Sequence, residues 1–151
     1  VRIYLPASLD QLDPGAGPLT ARRAHAVTPA LRALFPDEDD EGLEFAAQLA
    51  AADDSLEMLA ARPDAPQLRL VVSVDVPDGV LEPVTDDEDV PSAVELVQPV
   101  DLADVICVHV DEPGAAADVV LAGRGDEDAV DRLDERDLLW YDATELAAIP
   151  R

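Results

Sequence analysis

The sequence predicts an α+β protein, a mixed, largely antiparallel sheet with helices on one face. Three observations carry that prediction. Across residues 68–76, Leu68, Leu70, Val72, Val74 and Val76 face one way and Arg69, Val71, Ser73 and Asp75 the other, as in a strand with one solvated face. Residues 41–62 instead repeat apolar side chains at helical spacing. The chain then reads β, helices, β, β, β, helix, β, helix, and alternating strands in that order pack most simply as one sheet under a helical layer. A ferredoxin-like arrangement with an added strand fits this order, in a single domain over 1–151. No repeat of solenoid length occurs.

The elements follow in turn. Arg2-Ile3-Tyr4-Leu5-Pro6 is β-prone and ended by proline. Residues 8–12 make one helical turn before a loop containing Pro14, Gly15, Gly17 and Pro18. Residues 23–27 are extended. Thr28-Pro29 starts a helix, with threonine as cap and proline in the first turn, and Pro36 ends it. In the long helix, Phe45, Leu49, Ala52, Leu56, Leu59 and Ala60 form the apolar stripe. The acids at 37–41 suit its positive end and Arg62 its negative end, while Asp53-Asp54-Ser55 predicts a kink. Pro77-Asp78-Gly79 turns the chain, and 84–92 reads as an exposed acidic loop. Strands are expected at 94–97, 105–110 and 138–141, with helices at 111–123 and 127–135. Asp142 and Glu145 form a capping box for a last helix.

Composition narrows function. The 151 residues carry 34 acidic and 10 basic side chains, a formal charge of −24. Nucleic-acid binding needs cations to displace phosphate counterions, and anionic membranes repel carboxylates, so neither partner is expected. A basic protein partner is expected instead, steered by the acidic field. Leu, Ile, Val and Phe make up 43 of the 151 residues, above the roughly one-fifth below which charged chains stay disordered. No apolar run of membrane-spanning length and no secretory leader are found, and Cys107 is the single cysteine. A cytoplasmic protein is the expectation. All ten basic residues are Arg, and Lys and Asn are absent, as a GC-rich genome would produce.

Candidate sites are few. Asp37, Asp39, Glu41 and Gly42 fall on EF-hand calcium-loop positions 1, 3, 5 and 6, but Gln48 stands where position 12 needs a bidentate carboxylate. These acids therefore read as helix-start residues; no metal and no cofactor is expected. Cys107 and His109 share one strand face and suggest a thiol–imidazole pair, although a small buried Cys beside a half-exposed His is the preferred reading. Arg22, Arg23, His25 and Arg32 form the one positive cluster, the candidate for binding an anion or carboxylate through planar guanidinium forks. Gly15-Ala16-Gly17 lacks the lysine of a phosphate loop, and Arg124-Gly125-Asp126 reads as a turn. The leading expectation is a non-catalytic binding protein. A small enzyme using carboxylates with His25 or His109 is the second, and a nucleic-acid mimic the third.

The segments 2–8, 24–32, 43–47, 105–111 and 138–141 resemble an uncharacterised actinobacterial family, a domain of unknown function, over nearly the whole chain. The resemblance implies no catalytic residues. It is weakest over 113–135, where no site is expected.

Overall fold

The computed structural model describes residues 1–84 and 90–151; most of the predicted acidic loop, 85–89, lies outside the described residues. Seven strands form one sheet: β1 (Arg2–Ala7), β2 (Arg22–Ala26), β3 (Leu70–Asp75), β4 (Leu81–Pro83), β5 (Ala93–Leu96), β6 (Val105–Val110) and β7 (Leu139–Asp142). Their order is β4-β5-β2-β1-β3-β6-β7, and every pairing is antiparallel. Among the described residues four α-helices accompany them: α1 (Pro29–Leu34), α2 (Asp40–Ala60), α3 (Ala116–Gly123) and α4 (Glu127–Asp134). The α+β class is as expected, but the sheet is fully antiparallel rather than mixed.

The strand order is not ferredoxin-like either. β2 and β3 both run antiparallel to β1, which lies between them, so β2–α1–α2–β3 is a split crossover. A ferredoxin-like sheet repeats that device, whereas here α3 and α4 connect the adjacent strands β6 and β7. Strand β4 is unanticipated, because three residues ending in proline carry no readable alternation.

The alternation in β3 does separate two faces, but neither is solvated. Ile3, Leu5, Leu70, Val72, Val74 and Val108 form one apolar face. It is covered by short 3-10 turns and loops, which supply Leu9, Leu12, Leu19, Val100 and Ile149. The opposite face of β3, expected to meet water, has Arg69, Val71 and Ser73 buried and Asp75 alone exposed. There α2 packs through Leu43, Ala47, Ala51 and Ala52 onto Tyr4 and Val71.

The contact row on α2 is therefore Leu43, Ala47, Ala51, Ser55 and Leu59, spaced four residues apart. Phe45 and Leu49, expected in the buried stripe, stay 55% and 45% exposed. Small side chains on the contact row bring the helix close to the sheet, and the larger ones are left at its flank. The helix also continues through Asp53-Asp54-Ser55 as one element. Asp53 lines the groove described below, while Asp54 and Ser55 hold His25 and the sheet.

Caps follow the sequence closely. The Thr28 hydroxyl accepts from Leu31 N–H at 3.1 Å, and the Asp39 carboxylate accepts from Gly42 N–H at 2.9 Å. Asp126 caps α4 through Ala129 N–H, preceded by Gly125 at φ +91°, a left-handed conformation that a side chain would strain. Pro6, inside β1 rather than ending it, lies beyond the stretch paired with β2, and its carbonyl accepts from Arg22 at 2.8 Å.

Candidate functional site

The helix-side face of the sheet carries a polar band beneath α2. Strand register places His25 opposite Tyr4, Tyr4 opposite Ser73 and Ser73 opposite Cys107, in one row across β2, β1, β3 and β6. In the neighbouring row His109 stands opposite Trp140 of β7. Where α2 leaves the β6 and β7 side of this face uncovered, a groove of about 660 Å³ opens. Tyr4, Ser73, Cys107 and His109 line it from the sheet, Trp140 from the edge, and Glu41, Glu44 and Phe45 from the helix. A second lobe of about 520 Å³ shares Phe45, Gln48 and His109, and continues between α2 and the segment joining α4 to β7.

The two lobes differ in chemistry. In the first, burial and the nearby Glu44 carboxylate push the Tyr4 phenol up to about 12, so it is a neutral donor across the physiological range. Arg2 at its rim pairs with Asp75, Nε to Oδ1 at 2.7 Å. Burial holds the His109 imidazole below its ordinary pKa, and its buried Nδ1 has no hydrogen-bond partner among the described residues. His109 and Cys107 thus do share a face and a groove, as their spacing implied.

The second lobe is lined by Leu49, Leu133 and Leu138 together with Asp53, Asp134 and Arg69. Arg69 is committed elsewhere: Nε and Nη2 each donate to Asp111 at 2.8 Å. Burial first, and the Asp134 carboxylate second, hold the Asp53 carboxyl above the usual carboxylate range, with Arg69 pulling partly the other way. An acid raised by folding favours the folded state only while protonated, so its contribution is lost as pH rises through the raised value. Asp53→Asn is therefore expected to raise the thermal midpoint at neutral pH. The gain should vanish in melts recorded below the ordinary aspartate range, where both states are protonated.

The four residues of the positive cluster are not brought together. Arg22 and Arg23 are adjacent in β2 and so leave it on opposite faces. Arg22 is half-buried against the first 3-10 turn, donating to Pro6 O, Gln11 Oε1 and Thr20 O. Arg23 approaches Asp54, Nε to Oδ2 at 3.3 Å, beside His25. Arg32 is exposed on α1 and pairs with Asp40 at 2.8 Å.

His25 has the bonding order of a catalytic triad: Ser92 Oγ lies 2.7 Å from Nδ1, and Asp54 Oδ2 lies 2.6 Å from Nε2. Its accessibility is the reverse of what nucleophilic catalysis needs. Ser92 is 2% exposed and His25 fully buried, and Asp54 is the member that reaches solvent. A nucleophile must meet substrate, so this chain is a clamp joining β2, α2 and the segment leading into β5. Within the calcium-like stretch Asp39 accepts from the Gly42 amide as a helix cap, and the neighbouring Asp40 pairs with Arg32.

Residues 1–149 match the family of unknown function DUF6912. The chain belongs to this family. No curated protein and no solved structure matches it. For this DUF6912 chain the groove thus rests on its own geometry. It includes Leu133 and Asp134, from the stretch where no site was expected. Sequence reasoning missed it because its lining comes from four strands, the helices α2 and α4 and the segment before β7. The readable signal was Phe45 and Leu49 together with Trp140, large apolar side chains in a chain with only five aromatics. No helix of the described residues is long and apolar enough to cross a membrane.

Proposed function

We propose that this protein is a non-catalytic binding module whose groove between α2 and the β6–β7 edge takes a basic polypeptide segment bearing apolar side chains. The observation that carries the reading is the pairing of exposed aromatic walls with an acidic rim. Phe45 and Trp140 are 55% and 57% exposed on opposite sides of one groove, and Asp39, Glu41 and Glu44 border it. Exposed aromatics around a concavity favour partner contact over solvation, and Trp and Phe faces attract cations. A chain of formal charge −24 speeds the approach of a basic partner and repels another acidic one. The proposal sets this module in an actinobacterial cytoplasm, supported by the all-arginine basic set and the single cysteine.

Trp140 is the single tryptophan, so its fluorescence reports on the groove directly. Titration with a short peptide alternating arginine with valine should change its emission. Affinity should fall steadily with added salt and drop about tenfold or more in Phe45→Ala, the loss of one aromatic contact. Equal affinity in Phe45→Ala, or binding indifferent to salt, would contradict the reading.

The groove also holds His109, Cys107 and Tyr4, the surroundings that an enzyme using His109 would need. Binding is preferred because the acids lining the first lobe, Asp39, Glu41 and Glu44, belong to the start of α2, and no residue orients the imidazole through Nδ1 among the described residues.

A further inference from the structure

The two edges of the sheet are built differently. β4 is three residues long, carries Glu82 and ends in Pro83, features that discourage another strand from pairing. β7, at the opposite edge, is Leu139-Trp140-Tyr141-Asp142. It has no proline, no lysine and no bulge in its pairing with β6. Among the described residues, no backbone hydrogen bond joins Leu139, Trp140 or Tyr141 to any segment other than β6. Leu139 and Trp140 are both largely exposed there.

This open edge borders the groove, because Trp140 belongs to both. We infer that the partner binds by strand addition, an extended basic segment pairing its backbone along β7 and turning alternate side chains over Trp140 toward the acidic rim of α2. Strand addition takes affinity from main-chain hydrogen bonds and selectivity from alternate side chains. The groove lies on one face of the sheet, so every second side chain of an added strand would point into it. Two other occupants are disfavoured. A second copy would bring another charge of −24 against the first. A helix laid in the groove would leave the β7 amides unpaired. The inference rests on the proposed groove binding and adds its geometry.

The test uses the arginine–valine peptide and two versions methylated on alternate backbone amides, one set on each edge of the extended peptide. Strand addition predicts that one version binds like the parent and the other loses about tenfold or more in affinity, since only one edge faces β7. It also predicts slowed hydrogen exchange at β7 amides on binding. If both methylated versions bind equally while Phe45→Ala weakens them, strand addition is wrong and groove binding stands. If no version perturbs Trp140, both readings fail. If sedimentation without peptide shows a dimer with β7 amides already protected, the edge belongs to a second copy.

Discussion

Asp111→Ala is expected to destabilise the protein by about 3–5 kcal/mol, because it strands a charged guanidinium in the interior. Arg69 and Asp111 are 6% and 2% exposed, and the carboxylate receives three donors from one residue. Nε and Nη2 each donate at 2.8 Å, and the Arg69 main-chain amide donates at 2.9 Å. Nη2 also reaches the Leu133 carbonyl at 3.4 Å, which ties the β3–β6 pair to the end of α4. Removing the carboxylate leaves the cation uncompensated where water does not replace it. Arg69→Met with Asp111→Leu should recover most of the loss, leaving roughly the 1–3 kcal/mol of one unsatisfied amide. Urea unfolding of the two variants, compared at unchanged slope, makes the measurement. A single-variant loss below about 1 kcal/mol would show that the pair behaves as a surface ion pair.

The second large effect is expected at Ser55, a serine in the middle of the longest helix. Its buried hydroxyl donates to the Ala7 carbonyl at 2.8 Å and accepts from the Leu70 amide at 3.0 Å. Ala7 and Leu70 face each other across the β1–β3 pair, so the hydroxyl bridges the two strands from the helix above. Ser55→Ala keeps the helix propensity and deletes the bridge. It should cost about 1–3 kcal/mol for each backbone group left unsatisfied. Faster hydrogen exchange at Leu70 than at Val72 in the variant would locate the damage. A neutral result would mean that the strands close on each other directly.

These two sites show what was legible in the sequence. The strand at 68–76, the threonine–proline helix start and the long helix were readable, because each is set by local periodicity or a local cap. The partner of each face was not. Five apolar side chains facing one way identify a buried surface, but nothing local says that 3-10 turns rather than helices cover it. The stripe on α2 was misassigned because Phe45 and Leu49 are more apolar than Ala47 and Ala51, whereas close helix–sheet contact selects small side chains. Asp53-Asp54-Ser55 read as a local fault; it is where the helix turns polar groups toward the groove, His25 and the sheet. Arg22 and Arg23 were separable from sequence alone, since neighbours in a strand point to opposite faces. The groove itself gathers residues from 4 to 140 and leaves no local pattern.

The position of β1 between β2 and β3 has a consequence for synthesis. Arg2 meets Asp75 across 73 residues of chain, so β1 and β3 cannot pair until that length has been made. At about 5–20 residues per second the delay is roughly 4–15 s. During it β1 has β2 as its sheet neighbour, and the edge from Arg2 to Ala7 that β3 will pair stays open. The interval ends when one strand, β3, arrives between β1 and the position that β6 will take.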